Sequence, residues 1–264
     1  MRLHLRVRRG ALALAALAAF PASAQTLKAT YAITLLSLPI GTASVKAEIA
    51  GGKYSIEGSA RLLGVASLVN NASGASSGHG AIVDGRISPS DFATTASSAT
   101  STRTIRMAVK DNSVAGVDIA PPFDDKPDRV PLRPEDKRNI IDPVAAFLSP
   151  APRTGSAVGA GACDRSLPVF DGYTRFDLKL SYVGERQVSA KGYKGPVAVC
   201  NVRYVPVAGY RRDRPATKFM AENKDVQVWL APVEGAGTLA PFRISVKTMI
   251  GTLILEASEF TTEK

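Results

Sequence analysis

A two-residue period runs through most of this chain. Near the C-terminus Phe242, Ile244 and Val246 alternate with Arg243, Ser245 and Lys247; Met249-Ile-Gly251 interrupts; then Leu253, Leu255 and Ala257 resume the pattern. Successive side chains of a strand point to opposite faces, so such a run gives one apolar and one wet face, as in a half-buried antiparallel hairpin. At the other end Tyr31, Ile33 and Leu35 alternate with Thr30, Ala32 and Thr34, and Ala43, Val45 and Ala47 with Ser44, Lys46 and Glu48. Leu38-Pro-Ile-Gly41 between them has turn composition, and Gly51-Gly-Lys53 turns into a third strand over 54–60. Similar runs cover 82–85, 91–95, 103–110, 115–119 and 225–230. The sequence therefore predicts an all-β protein of about 12 to 14 antiparallel strands, a highly curved sheet, open or spiral and barrel-like, around one or two short helices.

Three stretches break the rhythm. Leu62, Val65, Ala66 and Val69 fall at helical spacing, so 61–69 reads as a short helix, either packed core or a mobile lid. Residues 70–80 are almost all small, and either loop out or form a thin strand that lets another backbone approach. Eight of the 17 prolines lie between Pro121 and Pro152. Proline blocks ladder and helix interior alike, so 121–159 reads as a connection between β halves at 25–120 and 160–264 of a single domain, 25–264. Inside it Asp142 fits an N-cap and Pro143 a first helical position.

The only two cysteines, Cys163 and Cys200, bracket the run Ser166 to Val183, where Phe176, Leu178, Leu180 and Tyr182 alternate with polar residues. The second cysteine lies in an apolar run over 197–205. Tyr193-Lys-Gly-Pro196 and Ala231 to Gly237 read as turns, and 216–223 as a helical turn. A Cys163–Cys200 bond would close a long loop and stabilise the fold by about 3.8 kcal/mol in the chain-entropy treatment; two buried thiols are the alternative. The compartment favours the bond. Residues 1–24 combine a basic start (Arg2, Arg6, Arg8, Arg9), an apolar stretch from Gly10 to Phe20 and an Ala-Ser-Ala site, the pattern of a secretory signal peptide cut after Ala24. That apolar stretch is too short to span a bilayer, and no later segment is apolar enough. A soluble, periplasmic protein in an oxidising space is expected. The leader carries four arginines and no acid, so the formal charge of +10 falls to +6 on its removal. Such a charge outside the cytoplasm points to a solvated surface or to anionic envelope partners, not to nucleic acid.

No catalytic set assembles. Gly74-Ala-Ser-Ser-Gly78 matches the hydrolase elbow G-x-S-x-G, but that motif needs a strand-to-helix turn and a later histidine, and His79 is the only histidine beyond the leader. One histidine and two distant cysteines make no zinc set. Asp124, Asp125 and Asp128 alternate with Lys126 and Arg129 and read as a solvated loop, not a calcium site. Arg211-Arg-Asp-Arg214 is the densest basic spot, a solvated turn or an anion contact. No metal, cofactor or enzymatic activity is expected.

Taken together, the tyrosine strand, Leu38-Pro-Ile-Gly41, Ala60 to Leu68, Asp84-Gly-Arg-Ile-Ser-Pro89, Asp142-Pro143 and Val169 to Leu178 resemble the domain of unknown function 3108 family, over about residues 28 to 260. The resemblance implies an exported β-rich protein of Gram-negative bacteria with a curved or barrel-like sheet and no established activity. The expected function is support of the cell envelope, with a lipid, acyl chain or lipoprotein held in the concave face. The alternatives are a structural or protein-interaction module without a cavity, in which case another envelope protein is the partner, and, weakest, a hydrolase.

Overall fold

A computed structural model describes residues 24–64, 67 and 71–264. The leader, apart from Ala24, and residues 65, 66, 68 and 69 of the stretch read as a helix over 61–69 lie outside these residues; Arg61 and Leu62 end a strand.

The chain folds into one antiparallel sheet of 14 strands. Seven come before the proline-rich connection: β1 (Gln25–Leu35), β2 (Leu38–Ala50), β3 (Lys53–Leu62), β4 (Ser73–Val83), β5 (Arg86–Ser97), β6 (Thr102–Lys110) and β7 (Ser113–Ala120). Within the connection is β8 (Ser149–Pro150), and beyond it are β9 (Arg165–Phe170), β10 (Arg175–Ala190), β11 (Tyr193–Ala208), β12 (Val226–Val233), β13 (Thr238–Thr248) and β14 (Gly251–Glu263). One helix, α1 (Pro215–Glu222), joins β11 to β12. The strands run as two meanders that meet where β1 pairs with β14, and the sheet has edges at β7 and β9.

The period-two pattern sets the core face. Leu27, Ala29, Tyr31 and Ile33 on β1 are buried while Lys28, Thr30 and Ala32 are exposed. Phe242 and Phe260 pack with Tyr193, ring centroids 5.5–6.0 Å apart. Burying each such ring contributes roughly 2–3 kcal/mol.

Several turns differ from expectation, and the difference is systematic. Leu38-Pro-Ile-Gly41 is strand; the turn is Leu36–Ser37, both residues at positive φ. Tyr193-Lys-Gly-Pro196 also lies in a strand, with the turn at Lys191–Gly192, and Ala231 to Val233 continue β12. The run Ser166–Val183 is two strands separated by a tight turn at Asp171–Thr174, where Asp171 Oδ1 accepts the N–H groups of Tyr173 and Thr174. Prolines caused most of the misreadings. Pro39, Pro89, Pro206 and Pro241 each sit directly beside a register shift in the sheet. A bulge leaves one residue out of the ladder, so the missing N–H costs little there, and the local twist increases. At these four positions a strand proline marks a bulge that bends the sheet, whereas Pro168, Pro196 and Pro232 stay in strands with no register shift beside them.

The connection bridges the two free edges of the curve. Ile140 donates its N–H to Asn112 beside β7, and Ile141 pairs with β9 through Pro168 and Phe170, so two residues stitch the sheet edges together. The chain then dives inside. Ile140, Ile141, Ala145 and Leu148 are buried, Phe147 meets Tyr31 edge-on, and a single 3-10 turn forms at Ala145–Phe147. Asp142 caps it as expected, its Oδ1 accepting from Val144 and Ala145 N–H at 2.8 Å. β8 pairs with the start of β13, Arg153 reaches Asp84 in the β4–β5 turn, and Val158 and Ala162 pack on Ala198, Cys200, Leu230 and Leu239. Those positions alternate with Val197, Ala231 and Ala240 of the inner core, so they lie on the outer face. The connection thus fills the interior, crosses one rim and grips the outside, where Cys163 bonds to Cys200 with Cα atoms 5.5 Å apart. This explains the unbroken burial of Val197 to Cys200: both faces of β11 are covered. The rim so crossed is the closed end. The opposite rim, which carries the Leu36–Ser37 and Met249–Ile250 turns, is the open end.

Candidate functional site

The core face of the first meander continues past the buried plug towards the open end. There the cross-strand row Tyr31, Ala43, Ala60, Gly74, Ala96 and Arg103 shrinks to small side chains. With no bulk to fill the curve, a concavity of about 440 Å³ remains, lined chiefly by Ile33, Ala60, Leu62, Ala72, Gly74 and Ala96, with Arg103 at one side. Its walls are mostly apolar. Arg103 is held in place: its Nε donates to Pro121 O, and the guanidinium covers the Phe123 ring at 3.9 Å. Phe123 packs on Tyr173, centroids 4.0 Å apart, and Arg129 covers Tyr173 in turn. This stack joins β6 to the β9–β10 turn across the open end.

A second concavity, of about 740 Å³, crosses β1–β5 on the opposite face. Strongly twisted sheets are saddle-shaped and hollow on both sides. Its walls are mixed: Ala29, Val45, Ala75 and Ala93 alternate with polar side chains, among which Ser44 hydrogen-bonds Ser59 at 2.9 Å and Lys28 pairs with Glu263 at 2.6 Å.

The sequence motifs fall apart in space. Ser76 lies on the core face of β4, its hydroxyl 2.8 Å from that of Thr94, whereas His79 is on the outer face with Nδ1 2.7 Å from Asp91 Oδ1. The two cannot act together, and the histidine–carboxylate pair has no nucleophile beside it. Asp128 accepts from Arg211 Nε at 2.9 Å and from Asp213 N–H, so both the acidic loop and the basic spot serve to join the connection to the β11–α1 loop. Among the described residues no cluster of three or more metal-ligating side chains occurs, and no helix is long and apolar enough to cross a membrane.

Two features were not anticipated. Asp142 Oδ2 and the Tyr54 hydroxyl are buried without a protein partner, and burial pushes the Asp142 carboxyl up to about 6. The open end also exposes large apolar side chains: Leu36 at 63%, Leu38 at 66%, Met249 at 61% and Ile250 at 71%. In the sequence they show only as an N-cap candidate and as apolar residues beside turns.

A family model described as protein of unknown function (DUF3108) matches residues 30–258. The chain belongs to the DUF3108 family. No curated protein matches it in sequence. Among solved structures it is similar to a β-barrel-like protein of domain of unknown function DUF1849 from Brucella abortus, with a TM-score of 0.51 and 10% identity. The match covers 90% of this chain and 98% of that one, and at this identity it speaks for the fold alone. A DUF3108 sheet is thus a β-barrel-like curve that is not closed, and the disulfide is compatible with a secreted protein.

Proposed function

We propose that this DUF3108 protein is a non-enzymatic periplasmic component of the cell envelope that takes the acyl part of a lipid or lipoprotein into the mouth at its open end. The observation that carries the proposal is the concavity between Ile33, Ala60, Leu62 and Ala96, mostly apolar in its walls, with Arg61 at its rim and the fixed guanidinium of Arg103 at one side. Ligand sites for small apolar groups are concave, mostly apolar and marked by a few placed polar groups. An acyl chain would lie along the small-residue row, with its anionic head near Arg103.

A second reading has an observation of its own. The middle of the curve is filled by Ile140, Ile141, Ala145 and Leu148, which leaves no deep cavity there for cargo and favours an interaction module that works through its surface. Native mass spectrometry of the purified protein, with organic extraction of anything bound, separates the two. A co-purifying acyl species in the wild type, lost in Ala96→Trp, is the expected result. A clean apo mass with no uptake of added palmitate would overturn the acyl reading and leave the interaction module.

A further inference from the structure

We propose that the paired hairpin tips at the open end form a docking surface for an anionic lipid bilayer. The β1–β2 and β13–β14 turns are neighbours: Leu36 donates its N–H to Thr252 O, and the Leu36 side chain lies so close over Gly251 that a Cβ there would collide with it. Together they present Leu36, Leu38, Met249 and Ile250, each more than half exposed, as one apolar prominence.

The turn chemistry argues that these side chains are there for what they touch. Leu36 has φ 52° and Ser37 φ 65°, the backbone of a tight hairpin turn that Asn-Gly fits best. A bulky residue at positive φ is costly, and such strain points to use. Leu36 touches Gly251 of the neighbouring tip, yet most of its surface is offered to what lies outside.

Charge is arranged behind the apolar tip. Lys247 stands two residues back from Met249, and Arg61 lies opposite Thr42, four residues back from Leu38. At the strand rise these offsets are roughly 7–13 Å. Lys247 pairs with Asp225, while Arg61 and Lys224 have no acidic partner among the described residues. Apolar groups ahead and cations one layer behind match the order of acyl region and anionic headgroups at a bilayer interface. The exposed tips need no complementary pocket to enter a bilayer. The mouth opens at the same end, but docking does not require that the mouth bind an acyl chain.

Flotation tests the inference, with vesicles of one part phosphatidylglycerol to three parts phosphatidylethanolamine. The wild type is expected to float with them, and to float less with pure phosphatidylcholine. Leu36→Asn with Ser37→Gly suits the turn and so preserves folding. Combined with Ile250→Asn it should lower vesicle partition about a hundredfold, as expected from the loss of two large apolar anchors. Ala96→Trp should leave flotation unchanged, so a failure of acyl uptake and a failure of docking are told apart. Wild-type protein that stays with the aqueous fraction, or a combined variant that floats as well as the wild type, would overturn the proposal. So would tip-dependent self-association without vesicle binding.

Discussion

The two ends of the sheet solve the same problem, reversing a strand, with different residues. At the closed end the turns are Gly51–Gly52, Asp84–Gly85, Asp111–Asn112 and Lys191–Gly192, in which every residue at positive φ is Gly, Asp or Asn, types that accept it at little cost. The connection crosses that end, and the disulfide fastens it outside. At the open end two tips, Leu36–Ser37 and Met249–Ile250, are apolar and exposed, beside the polar Ser98–Ser101 and Asp171–Thr174 turns of the same end. The closed-end turns are built for backbone economy and these two tips for contact. Where a sequence departs from the favoured turn chemistry, the side chain is what that position supplies.

That contrast can be broken at the closed end first. Cys163→Ser with Cys200→Ser should cost about 4 kcal/mol of stability, read by denaturant unfolding. Hydrogen exchange should rise in β8 and in residues 151–163 and not at the Leu36–Ser37 turn; equal loosening of both ends would contradict the division. Gly192 comes next. It sits at φ +86°, and a Cβ added there would run into Thr261 Oγ1 and Phe260 O, so Gly192→Ala meets both a backbone penalty and a clash and should lose about 3 kcal/mol. A melting temperature within a degree or two of the wild type would show that this turn has room to spare.

The buried plug gives a pH signature. The Asp142 carboxyl is raised to about 6 by desolvation, against the help of two N–H donors. The native state therefore keeps a proton that the unfolded chain has already lost, and stability falls as pH rises from about 4 to about 6. The full difference is about 3 kcal/mol. Asp142→Asn keeps an acceptor for the cap and should flatten that slope, measured as melting temperature against pH; an unchanged slope would place its source elsewhere. Asp171, raised to about 6 by burial as well, contributes in the same sense and should remain in the variant. The smallest effect sharpens the comparison most. Leu36→Asn with Ser37→Gly should raise stability by about 1 kcal/mol, because it restores residues that the turn prefers. A loss of stability instead would mean that Leu36 is part of the packing.

Much of the fold was legible because one alternation governs it. Tyr31, Ile33, Phe242 and Ile244 announced their faces, and the strand count followed from the spacing of turns. What misled were residues with two meanings. Pro39 and Pro196 have turn composition, yet a proline beside a bulge or on a locally unpaired strand edge stays in the sheet. Asp142-Pro143 could be read as a cap from local chemistry alone. Its burial inside the curve could not, because the contact of Asp142 and Val144 with Gly78 of β4 exists only once the connection has entered the curve. The mouth was hidden for a similar reason. Ala43, Ala60, Gly74 and Ala96 are scattered in sequence and become one wall only when the register is known.

The pairing of β1 with β14 has a consequence in time. Thr26 lies opposite Glu263, so the strand made first finds its second neighbour only when nearly the last residue is available. Until then β1 is an open edge on a partly formed sheet, able to recruit any strand that passes. Pairings so distant along the chain make folding slow, and a chain cut short before β14 would be left with that edge uncovered. A nascent DUF3108 chain is therefore expected to need a keeper until its last strand arrives, and C-terminal truncation should do more harm to solubility than removal of β7 from the outer edge.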